Sequence, residues 1–340
     1  MCTQILTENS ISCYVFINNK REGTSIKGKS IHIRINETIL EKFEEALIYE
    51  GINKTEFLTH AIQNFCSKVE SEKMNDIKRQ YGTSTHLQVR IDTHVKYEEK
   101  RIDLDEMVIN LLNLTNDEKI LDIGCATGAF LTLLQTIGHK GQLTGLDQSP
   151  KMIEEANKKS QQKNLNIEWI IGDARKLPFS SNSYDWVVAR HMLYHVPDIQ
   201  KTIEGFKRII KPNGGLVTTT NSRNSLPRIM ELCNNMLVEF GFPERISSAA
   251  PFCIENAKEI LSSTFDSVEE KVISNSLVFE QAEPIVNYIT SMFPSLNIPD
   301  NTDLYTDMKN WLKIEAENIL LRNGKVWRDP KDVGFYLCKK

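Results

Sequence analysis

Ile120-Leu121-Asp122-Ile123-Gly124-Cys125-Ala126-Thr127-Gly128 is the stretch that decides the reading of this chain. An apolar run carrying one acidic residue passes into a glycine-rich turn, and residues 129–137 then follow with helical patterning. Glycines in such a turn let the backbone approach a ligand and adopt dihedrals that a side chain would forbid. Taken alone, the stretch fits either a dinucleotide-binding turn or an ordinary strand-to-helix connection.

The flanking sequence continues the alternation. Residues 119–123, 142–146, 167–171, 184–189 and 216–220 read as strands. Helices are expected at 103–112, 129–137, 150–163 and 199–210, with Pro150 at a favoured first-turn position. Alternating strands and helices predict a mainly parallel sheet covered on both faces. The pattern is interrupted beyond Asn221. Helical segments at 224–241 and 283–322 need not belong to the sheet, while 268–278 and 334–338 can supply its closing pair of strands.

Two further acidic residues stand at strand ends. Asp147 closes the second strand, where a carboxylate can accept two hydrogen bonds from a ribose diol. Gly172-Asp173-Ala174 closes the third, where a carboxylate can accept from an exocyclic amine. A diphosphate favours an unobstructed helix N-terminus, whereas Asp122 sits at this turn, and acidic groups suit a cationic sulfonium and an α-amino group better.

Together these elements resemble the class I S-adenosylmethionine-dependent methyltransferases, most strongly over 119–220. That resemblance implies an α/β fold: a Rossmann-like seven-stranded, mainly parallel sheet over 101–340, with helical cap insertions at about 224–245 and 283–322. It places Asp122, Gly124, Ala126 and Gly128 around the amino-acid part of S-adenosyl-L-methionine. Asp147 would hold the ribose, Gln148 and Met152 would flank the adenosine, Asp173 and Ala174 would bind the adenine edge, and Arg190 would lie near the methionyl end. Ala126 departs from the family pattern, standing where a glycine is usual.

The expected activity is methyl transfer to a small-molecule acceptor through an N, O or C nucleophile. Such a displacement mainly requires alignment and exclusion of water, with a base only for a weakly acidic nucleophile. The segment after the fourth strand, Arg190-His191-Met192-Leu193-Tyr194-His195, would border the methyl group. His191 or His195 could serve as base, and Tyr194 could line the pocket; each could equally shape the loop. Tyr288, Met292, Phe293, Tyr305 and Trp311 make the second cap segment aromatic-rich, as suits a lid over a partly apolar acceptor.

The N-terminal region reads separately. Residues 1–29 are polar and are expected to be a flexible arm, with a basic cluster at Lys20, Arg21, Lys27 and Lys29. Residues 30–70 read as a β-α-α unit: Ile31, Ile33 and Ile35 alternate with His32 and Arg34, Gly51 stops the first helix, and Asn53 starts the second. This unit resembles the ribbon-helix-helix proteins, whose paired strands enter the DNA major groove. His32 and Arg34 would then face the bases, with Lys54 and Thr55 near phosphate. A DNA-associated regulator or nucleic-acid methyltransferase is the alternative function. Eight Lys/Arg against nine Asp/Glu in residues 1–70 weigh against it. A homodimer through the N-terminal strand, or an extension packed on the enzyme, is favoured. Residues 71–100 read as linker and lead-in helices.

Composition agrees with a soluble enzyme: net charge is −4, and the seven scattered cysteines form no C-x-x-C pair that would suggest a disulfide framework or metal site. Without a basic n-region or a membrane-length apolar run, the expectation is a cytoplasmic protein.

Overall fold

The computed structural model describes residues 4–7, 11–14, 32–34, 37–80, 84–245, 247–296, 298–299 and 301–340. Contacts divide the chain into two units, residues 1–70 and 71–340.

In the first unit, β1 (Gln4–Thr7), β2 (Ile11–Tyr14) and β3 (His32–Arg34) form a three-stranded antiparallel sheet, followed by α1 (Glu37–Glu50) and α2 (Lys54–Gln80). This corrects the expectation of a strand without a partner inside its own unit: β3 pairs with β2, Cys13 lying opposite Ile33. Two stretches read as a flexible arm are themselves strands: β2 pairs with β3 on one side and with β1 on the other. The basic cluster at 20–29 lies outside the described residues. Between the helices Gly51 takes φ +67°, and the Asn53 side chain accepts from Thr55 N at 2.8 Å, starting α2. Phe43 meets Phe57 edge-on, yet Ile48, Tyr49 and Phe65 remain 81%, 88% and 67% exposed.

The second unit opens with α3 (Ser84–Tyr97) and α4 (Leu104–Leu112). Then come β4 (Ile120–Ile123), α5 (Ala129–Thr136), β5 (Leu143–Asp147), α6 (Pro150–Gln162), β6 (Glu168–Ile171), β7 (Tyr184–Arg190), α7 (Ile199–Ile209) and β8 (Ile210–Asn221). The chain closes with α8 (Pro227–Glu239), α9 (Ile254–Ser262), β9 (Ser267–Phe279), α10 (Ala282–Thr290), α11 (Thr302–Arg322) and β10 (Trp327–Lys339). Seven strands form one sheet in the order β6-β5-β4-β7-β8-β10-β9, and β10 alone runs antiparallel to its neighbours. This is the expected Rossmann-like arrangement. Chain direction across the sheet reverses between β4 and β7, which makes their carboxyl ends the crevice for a ligand.

Caps in the sequence set the helix starts. Asp103 accepts from Glu106 N at 3.0 Å to begin α4, and Asp198 accepts from Lys201 N at 3.0 Å to begin α7. Strand alternation then sorts the core. Leu121, Ile123, Val187 and Ala189 face α7 and α9, whereas Ile120, Trp186 and Val188 face α4 and α5. Asp122 shares the latter face and is 1% exposed.

A third core belongs to the cap: α8, α10 and α11 bury Met236, Ile285, Met308 and Leu312 around Leu277, Phe279 and Trp327 at the outer ends of β9 and β10. Tyr97 of α3 packs on Phe279 with centroids 5.0 Å apart, so the lead-in helix is part of the cap. The start of α8 has no side-chain cap of its own; Asp329 of β10 accepts from Arg228 N at 3.1 Å and Ile229 N at 2.7 Å. Pro330 is tolerated in β10 because β8 pairs only from Val333 onward, leaving Pro330 at a one-sided stretch. No described helix is long and apolar enough to cross a membrane.

Candidate active site

The turn after β4 is held from β5. Gly124 N and Cys125 N both donate to Leu146 O, at 2.7 and 3.2 Å, and Ala126 N donates to the Asp147 carboxylate at 3.0 Å. Positive φ is needed at Gly124 (+74°), Ala126 (+47°) and Gly128 (+73°). Ala126 therefore sits in a conformation that suits glycine better.

The two glycines meet different neighbours. A Cβ on Gly124 would come 2.9 Å from the Met192 side chain, so the turn after β4 lies directly against the segment after β7. On Gly128 a Cβ would come 2.2 Å from the ring of Trp169 on β6. Gly128 thus makes room for a tryptophan, a packing role invisible in the local sequence. The indole is fixed by a 3.0 Å bond from Nε1 to Ser160 Oγ.

Beneath the turn, both Asp122 carboxylate oxygens are buried without a hydrogen-bond partner. Burial raises the carboxyl pKa to about 6, against the opposing pull of Arg190, whose guanidinium lies 3.5 Å away. Arg190 itself is committed to Asp105 of α4 and stacks over Phe130 at 4.3 Å. A buried carboxylate held only by a 3.5 Å ion pair can still accept hydrogen bonds from a cationic or N–H-bearing ligand. The amino-acid end of an adenosyl sulfonium would be such a ligand.

Asp147 uses both oxygens locally, accepting from Ala126 N and, at 2.9 Å, from Ser149 N. Each oxygen keeps a further lone pair for a diol, and burial raises its pKa. Gln148 is exposed, whereas Met152 is only 1% exposed and Ala174 9%. Asp173 is held by Arg175 at 2.6 Å, and this bond keeps its carboxyl below the ordinary range. An adenine amine would have to share that carboxylate with Arg175.

Beyond β7, His191 takes φ +50°, strained for a non-glycine residue, and its Nδ1 is buried without a partner. Desolvation, then Lys331 and Arg190, lower its pKa to about 3. The ring is neutral at physiological pH and suited to accept a hydrogen bond, but poor at retaining a proton. Tyr194 is buried in the core with Leu193 and Val196, and half-buried His195 meets it edge-on at 4.5 Å.

Several residues here were not readable from local pattern. Thr219 of β8 receives His191 N on its carbonyl at 3.0 Å, and its hydroxyl is buried without a partner. Lys331 of β10 is 5% exposed; its ammonium pairs with Glu98 and reaches His94 Nδ1 at 3.2 Å. His94, in turn, packs edge-on against Tyr288 at 5.8 Å.

The chain is 32% identical over 144 residues to the demethylmenaquinone methyltransferase of Staphylococcus epidermidis, covering 42% of this chain and 59% of that protein. It is 28% identical over 236 residues to the demethylmenaquinone methyltransferase of Oceanobacillus iheyensis, covering 64% and 91%. A SAM dependent methyltransferase from Aquifex aeolicus aligns with TM-score 0.42 and 18% identity, over 55% of this chain and 91% of that one. Residues 114–250, which hold the glycine turn, all three strand-end aspartates and the segment after β7, match the family model of a methyltransferase domain.

Proposed function

We propose that this protein transfers the methyl group of S-adenosyl-L-methionine to a small-molecule acceptor. The buried Asp122 carboxylate without a partner, lying under the Gly124 turn, carries the reading. Asp122 and the turn around Gly124, Ala126 and Gly128 would hold the amino-acid end, with Arg190 beside it. Asp147 would hold the ribose, Gln148 and Met152 would flank the adenosine, and Asp173 with Ala174 would meet the adenine edge. When bound, the donor supplies a sulfonium methyl: the carbon–sulfur bond breaks with its electron pair remaining on sulfur as the bond to the nucleophile forms. The chain's share is alignment and exclusion of water. The cap of α3, α8, α10 and α11 lies over the same strand ends and would close on the acceptor. His191, with a low pKa, orients the acceptor by accepting a hydrogen bond, while Tyr194 and His195 set the shape of the loop.

The match at 114–250 and the names of the curated relatives favour this reading over DNA association. The N-terminal unit serves, in the same proposal, to pair two copies of the chain, since its helices leave Ile48, Tyr49 and Phe65 uncovered and β3 stands at a sheet edge. A cytoplasmic setting suits the buried free thiols of Cys125, Cys233, Cys253 and Cys338.

Titration calorimetry tests the central point. S-adenosyl-L-methionine should bind the wild type, and Asp122→Asn and Asp147→Ala should each weaken it at least tenfold. Absence of wild-type binding removes the proposal.

A further inference from the structure

Arg190 is placed by three elements. It lies two residues beyond Val188, the register partner of Asp122, so the two side chains leave the sheet on the same face. Phe130 of α5 sits under the guanidinium, its ring centroid 4.3 Å from the guanidinium carbon. Asp105, in the first turn of α4, accepts from Arg190 Nη1 on Oδ1. That turn is itself fixed. Asp103 accepts from Glu106 N at 3.0 Å, and Val108 and Leu112 of the same helix pack with Ile120 and Phe130 in one core. The helix dipole also favours a carboxylate at this end of α4.

The result is a set of groups that could satisfy one another and do not. Arg190 Nη2 stops 3.5 Å from Asp122 Oδ2, beyond the ~2.8 Å of a charge-assisted hydrogen bond. Arg190 Nε is buried without a hydrogen-bond partner, and so are both oxygens of Asp122. The two carboxylates differ in burial: the Asp105 side chain is 33% exposed, that of Asp122 only 1%. In a buried place a charge-assisted pair is strong and an unsatisfied group is costly. A guanidinium released by Asp105 would therefore close on Asp122.

We propose that Asp105 is a positioning residue for the methyl donor: by holding Arg190 on its outer side, it keeps the guanidinium off Asp122 and leaves that carboxylate open to the α-ammonium of S-adenosyl-L-methionine. This rests on the reading of Asp122 as the seat of the donor's amino-acid end, and adds that the seat is kept open from α4. Asp105 acts through Arg190 and not on the donor itself. Without it, the ammonium must displace a guanidinium before it can bind, and affinity falls. The adenosine part, which the same reading assigns to β5 and β6, is held as before.

The test compares two ligands by calorimetry on the full-length chain. S-adenosylhomocysteine carries the α-ammonium; 5′-deoxy-5′-methylthioadenosine has the same adenosine and sulfur without the amino-acid chain. Asp105→Asn should weaken the first about tenfold or more, as expected where a charge-assisted hydrogen bond must be broken before binding. It should leave the second within about twofold, since that ligand does not use Asp122. In an Arg190→Gln background the same substitution should change S-adenosylhomocysteine affinity by less than about twofold, because no guanidinium remains to close. Asp105→Ala is measured beside Asp105→Asn, with folding checked by circular dichroism. Unchanged S-adenosylhomocysteine binding in both Asp105 variants overturns the proposal. Equal weakening of both ligands also overturns it, as a general defect of α4. So does a full effect in the Arg190→Gln background, which would mean that the Asp105 charge acts on the ligand directly. A wild type that binds neither ligand would instead remove the methyltransferase reading, so the two failures are separable.

Discussion

The Arg190 guanidinium stands 3.5 Å from the Asp122 carboxylate yet makes no hydrogen bond to it, because its short bond goes to Asp105. Asp122 is thus left as a buried carboxylate whose neighbouring cation is drawn toward Asp105, which predicts an unusual pH signature. Its folded pKa is about 6 against an ordinary 3.8. The native state therefore holds its proton longer than the unfolded chain, and this contribution is full below pH 4 and lost as pH rises through 6. The loss amounts to at most roughly 3 kcal/mol. His94 and His191 act in the opposite direction, since both are lowered to about 3 from 6.5, so their contribution is present above pH 6.5 and lost as pH falls toward 3. Asp122→Asn removes only the first. Urea melts from pH 4 to 7 should show the variant gaining stability relative to wild type as pH rises; a constant difference would mean that Asp122 is paired.

Gly128 and Trp169 should behave as a unit. Gly128→Ala places a methyl 2.2 Å from the indole in a backbone with φ +73°. Clash and dihedral together predict a loss of about 2–4 kcal/mol. Trp169→Leu in the same chain should recover part of it, leaving the dihedral cost. Gly124→Ala meets the Met192 Cβ at 2.9 Å, a milder approach than the 2.2 Å at Gly128, and should cost less. Thermal melts of these three variants and of Trp169→Leu alone decide whether the coupling exists.

Asp173 has two readings that Arg175 separates. Should the carboxylate serve the adenine edge, Asp173→Ala weakens cofactor binding about tenfold or less, as for one charged hydrogen bond, while Arg175→Ala leaves it equal or tighter. If the pair is purely local, neither substitution changes the calorimetric affinity.

Uncovered apolar side chains on α1 and α2 predict association of the chain. Size-exclusion chromatography with light scattering should give a dimer for the wild type. Phe65→Lys combined with Tyr49→Lys should give a monomer that binds S-adenosylmethionine unchanged. A monomeric wild type would leave those residues without a partner of this kind.

Loss of the α8 cap should be felt locally. Asp329→Ala removes the acceptor of two backbone donors at the start of α8. A cost of about 2 kcal/mol is expected. Hydrogen exchange should speed up across 227–239 while β4 and β7 stay protected.

What could be read from the sequence were features written in a short window. The strands and helices from 103 to 220 each carry their own period and caps, such as Asp198 before α7, and the three strand-end aspartates sit at fixed places in that alternation. Other features needed distant parts of the chain. The helix α9 follows Cys253, whose side chain joins Asn256 in a capping box that resembles no common start signal. Lys331 sits in β10, where a lysine in an alternating strand looks like a solvent-facing residue, and only the 233-residue separation from Glu98 closes over it. Trp169 and Gly128 meet across the sheet, so neither announces the other. The place of Arg190 at the end of β7 was legible, but not its bond to Asp105.

The long strand β10 has a consequence for how such a protein can change. Its residues 333–339 lie in the sheet between β8 and β9, and its earlier residues carry Lys331, Asp329 and Trp327 into the cap. Side chains alternate along a strand, so a one-residue deletion between 331 and 333 would turn Lys331 to the opposite face and pull the α8 cap out of register. Length in this strand is therefore closed to variation. Under the proposed function, new acceptors would be reached by exchange of side chains on α3, α10 and α11, with the backbone ruler of β10 left untouched.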